Sequence, residues 1–396
     1  MRIGLVATRA EGHQLSLHAR ALIREFHKRG WSTTLFLPSS DHSHPTLVAL
    51  QKECPGAFDV ASLPQHPFKS KVPFLRWTVQ RIGDSLALWR GFGEAVAAQP
   101  VDFVFPLGLE EIQIGCALKG SPFGSTPFGG ILLSNFGYQA ERGMTTPVTR
   151  IEKVMRWSLP RMLKLGTLRF AAHADPLLVE HRSHLAKLKH YPEKGELLPL
   201  PDRASARAQL GLPADAFIVV SYGWQTGRKG IREFVRGIQH PDFPTDGVGY
   251  LVGSQQADAR EFLATPDCQA LMSSGRLIVC PEVIDNEHEA AMFAAADAVW
   301  IGYPGFYTMS GVLMQSWVAG KPVLAGDHGI IGHLVQSTEA GRTFPVADTA
   351  AYVRALLDVR AHHATYAAKS AQQGTKHGGD CFERTLADFV QDAMKP

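Results

Sequence analysis

Two hydrophobic rhythms run along this chain. Apolar runs at 2–7, 101–106 and 130–133, and the mixed run at 32–37, read as buried strands, since a sheet covered on both faces needs no polar alternation. Between them apolar residues recur at helical spacing. Over 13–29, Leu15, Ala19, Leu22, Ile23 and Phe26 line one face, and Gly30 ends the helix. Helices are also expected over 74–98 and around Ile112, Cys116 and Leu118. The stretch 38–73, rich in Pro, His and Ser, gives no assignment. Short strands are expected at 170–174 and 197–200, and 199–202 reads as a linker.

The same alternation restarts beyond the linker. Strands are expected at 217–222, 249–253, 276–280, 298–303 and 322–325, with helices at 231–239, 286–296, 349–357 and 381–394. Strand–helix alternation in both halves predicts an α/β protein of two Rossmann-like, doubly wound parallel-sheet domains facing across a cleft. The expected boundaries are 1–200 and 201–380, with a C-terminal helix at 381–396 crossing back to the first domain.

Length and composition agree with that reading. The chain has 396 residues, 45% of them hydrophobic and 19% charged, as expected of a globular protein with substantial cores. A net charge of +3 gives no argument for nucleic acid as a partner. The five cysteines are scattered, with no CxxC or Cys/His cluster, so neither zinc nor a disulfide framework is expected and a reduced cytoplasmic setting is the simplest reading. The apolar start at 1–7 is too short for a signal peptide, and no apolar stretch is long enough to span a bilayer.

Charge is concentrated in one place. The segment 149–169 carries six cations (Arg150, Lys153, Arg156, Arg161, Lys164, Arg169) against Glu152, interleaved with Val154, Met155, Trp157, Leu159, Met162 and Leu163. Two readings stay open: a helix resting on an anionic membrane at its inner face, or an ordinary surface helix broken near Pro160.

Candidate chemistry lies at strand ends. The stretch 305–339 begins as a loop through Tyr307, Thr308 and Met309, reaches Ser310-Gly311 and enters an apolar helix. A helix start led by small residues leaves backbone N–H groups free beside the positive end of the helix dipole, a place to hold phosphate. The first strand leads to a loop with the single glycine Gly12, next to His13, but GxGxxG is absent and an NAD-type cofactor is disfavoured. Glu110 and Glu111 follow the strand at 101–106, where a carboxylate can act as acid/base or position a hydroxyl; the alternative is an acidic helix start. His13 and Asn135 stand at comparable strand ends.

Several segments together resemble the GT-B glycosyltransferases, in particular the retaining GT4-like group. FIVVSYGWQTGRKG at 217–230 is similar to the group's strand–Gly–loop–Lys-Gly segment. PEVIDNEHEAAMFAAADAVWIGY at 281–303 resembles its base-binding loop and helix, and VAGKPVLAGDHGIIGHLV at 318–335 its AxGxPV…G segment. The second half is covered almost throughout, the first only in architecture. The resemblance implies an acceptor-binding first domain and a nucleotide-sugar-binding second domain. It puts Lys229 against the diphosphate, Ser310 and Gly311 at its helix cap, and Glu282 and Val283 near the base. Gly12, Gly223 and the loop 307–309 belong to the same donor site, and Gln315 lies where a ribose-binding glutamate is usual. The chain departs from the pattern at Trp224, where arginine is usual, at Tyr307 and Gln315, where both carboxylates are replaced, and at Ser134 and Asn135, where a histidine often stands. Arg228 is a candidate for the missing positive charge and Trp224 for stacking on a base or sugar.

The expected activity is transfer of a sugar from a nucleotide-diphosphate sugar to an acceptor hydroxyl, with retention, without metal or other cofactor. The acceptor is a saccharide, a lipid-linked molecule or a small molecule. Two other readings remain open: a binding or scaffold protein that has lost catalysis, and a sugar-nucleotide epimerase of the same fold.

Overall fold

A computed structural model of the chain describes residues 1–11, 14–69, 76–133 and 149–395. These form two compact units, Met1–Pro192 with Phe382–Pro396, and Glu193–Cys381.

The first unit holds a seven-stranded sheet of β1 (Arg2–Val6), β2 (Ser32–Leu37), β3 (Phe58–Ser62), β4 (Phe103–Pro106), β5 (Phe128–Leu132), β6 (Leu168–His173) and β7 (Leu188–His190). Its order is β3-β2-β1-β4-β5-β6-β7, with every pairing parallel. The apolar runs are explained by burial on both faces. Phe103, Phe105, Phe128 and Phe170 are fully buried; the Phe103 and Phe105 rings pack on Phe170, and Phe128 packs on Phe123. The C-terminal helix Cys381–Ala393 adds Phe389 to this set, 5.5 Å from the Phe170 ring centroid. It is fastened to the same unit by Arg29, which donates to Asp388 Oδ1 and Gln391 Oε1.

The second unit holds a six-stranded parallel sheet of β8 (Phe217–Tyr222), β9 (Gly247–Val252), β10 (Leu277–Cys280), β11 (Ala298–Ile301), β12 (Val323–Gly326) and β13 (Gly341–Phe344). Its order, β10-β9-β8-β11-β12-β13, reverses direction at β8 as the first sheet does at β1.

Some expectations fail locally. No strand forms at 197–200: Pro199 and Pro201 lack the N–H groups that a ladder needs, and Leu198 and Leu200 are exposed. The unassigned stretch contains helix Pro45–Glu53, entered through Pro45 and capped by His44, and the edge strand β3. The expected helix at 13–29 is π-helical over Gln14–Ala19 and α-helical over Arg20–Lys28. Helix Arg150–Leu163 passes through Pro160 without breaking. The proline sits in the last turn, where only one carbonyl loses its donor. Helix Gln113–Lys119 holds the segment from the other side, Gln113 Nε2 donating to Met155 O at 2.6 Å and Ser158 Oγ at 2.7 Å. Helix His363–His377 was invisible to periodicity because its buried positions are Ser370, Gln373 and Gly374, not large apolar residues.

A buried ion pair fixes the N-terminal ends of β8 and β11, the two central strands of the second sheet. Arg207 is fully enclosed, donating to Ala295 O, Ala216 O and Asp297 Oδ2. The same Asp297 oxygen accepts from Ile218 N–H at 2.7 Å, and its other oxygen accepts from Arg203. Removing one partner leaves a buried charge alone. Asp297→Ala is expected to lower stability by about 3–5 kcal/mol, read as a fall in the urea midpoint; a loss below about 1 kcal/mol would refute this assignment.

Candidate functional site

Ligands of doubly wound sheets bind beyond the C-terminal strand ends where strand order reverses. In the second unit that point lies between β8 and β11, which pair directly. The loop after β8 ends in a 3₁₀ turn, Gly227–Lys229, and Gly230 then takes a left-handed conformation, φ 68°, before helix Ile231–Gln239. A β-carbon on Gly230 would lie 2.2 Å from Gly302 O, so a glycine is needed for the β8 and β11 loops to touch.

This contact positions Lys229. Its ammonium donates to Tyr222 O at 3.0 Å and to Tyr303 Oη at 2.9 Å, 4.4 Å from the Tyr303 ring centroid. Lys229 is only 6% exposed, and it forms no ion pair among the described residues. A buried cation held by neutral oxygens lacks a counter-ion, and the physical remedy is a bound anion. Gly223, φ 106°, leaves room for it: a β-carbon there would sit 3.1 Å from Lys229 Nζ.

Beyond β11 the loop 304–310 leads to helix Gly311–Val318. Ser310 is buried in its N-cap position with extended backbone, φ −128° and ψ 121°, and its side chain does not cap the helix. The first N–H groups of the helix have no partners within it. A β-carbon on Gly311 would meet nothing within 4 Å, so this end of the helix is open. One turn on, Gln315 Nε2 donates to Glu289 Oε1 at 2.8 Å and Glu196 O at 3.3 Å, and Tyr222 Oη donates to the same Glu289 oxygen at 2.6 Å. Tyr307 stacks edge-on to His328 at 5.2 Å.

In the first unit the order reverses between β1 and β4. Thr8 Oγ1, beyond β1, donates to Glu111 Oε1, beyond β4, at 2.8 Å. Gly108 permits a close approach, for its β-carbon would lie 3.1 Å from Glu111 Cδ and 3.2 Å from Gln14 Nε2. Glu110 accepts from Leu133 N–H, beyond β5, at 3.2 Å. Burial pushes the Glu110 carboxyl up to about 7, and the neighbouring Glu111 charge adds to this against its backbone hydrogen bonds. Burial also raises Glu111, opposed by its bonds from Thr8 and Gln14.

No known family profile matches the chain. The chain is similar to D-inositol 3-phosphate glycosyltransferase of Streptomyces avermitilis, 27% identical over 265 residues, 60% of this chain and 56% of the relative. It thus spans about half the length of the curated relatives it matches. Among solved structures, sucrose-phosphate synthase of Thermosynechococcus elongatus superposes with a TM-score of 0.70 at 18% identity, covering 99% of this chain and 98% of that one. Anabaena HepE in complex with UDP-glucose gives a TM-score of 0.68 at 13% identity, covering 99% and 100%. The fold is GT-B.

Within this GT-B chain the candidate residues divide. Lys229, Gly223, Ser310 and Gly311 flank the β8–β11 reversal, and Gln315 lies one turn along the same helix. Arg228 is exposed, and its guanidinium lies 4.9 Å from the ring centroid of Phe306, in the loop 304–310; the Phe306 ring in turn meets Tyr303 at 5.7 Å. Trp224 is 61% and Val283 86% exposed, and Glu282 and Thr308 are also exposed, so none of these side chains is fixed by packing. Met309 packs against the core. Gly12, His13 and Asn135 lie outside the described residues. Sequence reasoning missed Tyr303, Tyr222 and Glu289. The first two occupy strand ends flanking the reversal, a signal that was available; Glu289 gave none, since acids are ordinary in a first helical turn.

Proposed function

We propose that this chain is a glycosyltransferase that moves a sugar from a nucleotide-diphosphate sugar to an acceptor hydroxyl, with retention and without a metal. The observation that carries the reading is Lys229, a buried ammonium with no counter-ion among the described residues, at the strand-order reversal that also receives the open helix start at Gly311. As the glycosidic bond breaks, negative charge grows on the departing diphosphate. A fixed ammonium and free helix N–H groups stabilise that charge without reorganising. Gln315, held by Glu289, is assigned to the nucleoside hydroxyls. Glu110 is assigned to the acceptor: a carboxyl poised near neutrality can take the hydroxyl proton as the new bond forms. The solved HepE complex makes UDP-glucose the first donor to try.

Thermal unfolding with UDP, GDP and ADP, followed by turnover of the matching sugar nucleotides, tests the reading. A nucleotide at a hundred times its Kd stabilises by about 2.7 kcal/mol, a shift of several degrees. Turnover is expected to require an acceptor and to survive EDTA. No shift with any nucleoside diphosphate would remove the proposal, and sugar-nucleotide conversion without acceptor would replace it with epimerisation.

A further inference from the structure

The basic segment first noted in the sequence is organised by helix Arg150–Leu163 into one exposed stripe. Lys153, Trp157 and Arg161 follow one another at intervals of four, Lys164 continues the line past the helix end, and Arg150 begins it. At ~100° per residue all five fall within an arc of roughly 80°. The opposite face carries the buried Met155, Ser158, Leu159, Met162 and Leu163. The helix therefore has no spare apolar face, and whatever meets the stripe meets charge and one aromatic ring.

Three observations bear on the identity of that partner. First, Lys153, Arg161 and Lys164 are exposed and form no ion pair among the described residues; the one acid of the helix, Glu152, is engaged with Thr149 in the N-terminal capping box. The chain as a whole is nearly balanced, 40 Lys and Arg against 37 Asp and Glu, so this excess is local. Second, the basic surface continues past the helix. Lys187 Nζ donates to Leu165 O at 2.6 Å, and burial first, then the charge of Arg169, hold its pKa below the ordinary lysine value. Third, Trp157 is 42% exposed, braced by the Arg161 guanidinium 4.2 Å from its ring centroid. An indole presented among cations suits the headgroup layer of a bilayer. Helix-dipole compensation explains cations in the last turn but not Lys153 or an exposed tryptophan.

We propose that this stripe docks the first unit on an anionic lipid surface, as a peripheral, electrostatic attachment with Trp157 as its interfacial anchor. The contact is reversible and salt-sensitive because it inserts one ring and no helix face. It is independent of the sugar-transfer reading.

Co-sedimentation of the full chain with phosphatidylcholine vesicles, with and without phosphatidylserine, tests it. Pelleting is expected only with the anionic vesicles at low salt and should be lost as salt rises. Each cation near such a surface is worth about fivefold in partitioning, so Lys153→Glu, Arg161→Glu and Lys164→Glu together should weaken binding by at least about a hundredfold. Trp157→Ala should weaken it further at constant charge. Should the triple variant not fold, the single Lys153→Gln and Lys164→Gln changes and the salt dependence of the unaltered chain give the same reading. Failure of the unaltered chain to pellet at low salt overturns the proposal, as does a folded triple variant that pellets equally well. Binding to RNA with no binding to anionic vesicles would reassign the stripe to another polyanion and equally overturn it.

Discussion

Lys229→Met is expected to lower kcat/KM for the sugar nucleotide by about 10²–10³-fold, the usual effect of losing one fixed donor to a developing anion. Two of the three ammonium donors are held by Tyr222 O and Tyr303 Oη, which aim the group and leave one donor for a phosphate oxygen. Methionine keeps the buried stem and removes only the charge. The loss should therefore come without a large fall in thermal stability, and a buried cation without a counter-ion gives reason to expect a gain. Both KM and kcat should suffer, since the diphosphate is already bound in the substrate and its negative charge grows in the transition state. Arg228→Ala is the internal comparison. Its guanidinium rests on Phe306, so the effect should stay within about tenfold. Steady-state kinetics with a saturating acceptor would decide; a Lys229→Met enzyme within threefold of the parent would exclude the lysine as the diphosphate ligand.

The second large effect concerns Glu110, and it pulls stability and activity apart. The folded carboxyl has its pKa raised to about 7 by burial, well above the ordinary carboxylate value. Its stability contribution is therefore fully present below about pH 4.5, falls as pH rises to about 7, and is absent above that. At pH 8 the fold carries a buried charge costing about 3 kcal/mol. Glu110→Gln removes the charge while keeping an oxygen for the Leu133 N–H. It should stabilise the protein at pH 8 by about that amount and flatten this part of the pH profile. The amide cannot take a proton, so turnover should fall by about 10²–10⁴-fold. Urea melts across pH 4 to 8 and initial rates on the same preparation test both halves. Unchanged stability at pH 8 would refute the buried charge, and unchanged turnover would refute the assignment to the acceptor.

The backbone framework of the candidate site is legible in the sequence because it is local. Gly223, Gly230 and the Ser310-Gly311 helix start announce themselves by residue type and position, since each answers a backbone requirement of a few neighbouring residues. Arg228 and Lys229 differ in a way adjacency does not reveal: Lys229 is buried on Tyr222 O and Tyr303 Oη, while Arg228 is exposed over the Phe306 ring. The partnership of Gln315 with Glu289 and Tyr222 joins three separate elements and had no sequence signature.

Residue pattern alone specifies two parallel α/β units. Buried parallel strands demand uninterrupted apolar runs, and their glycine-led loops are chosen by backbone geometry that few other residues allow. Which charges are costly is set by packing between distant segments. Burial depends on what the rest of the chain places around a group. Lys229 is a buried cation because Tyr303 and Gly302 close over it, and the Glu110 carboxyl is pushed up to about 7 because burial beyond the ends of β4 and β5 takes it out of water. Helix Arg150–Leu163 likewise runs on through Pro160, packed against Gln113 of the neighbouring helix, and only that continuous helix brings Lys153, Trp157, Arg161 and Lys164 into line.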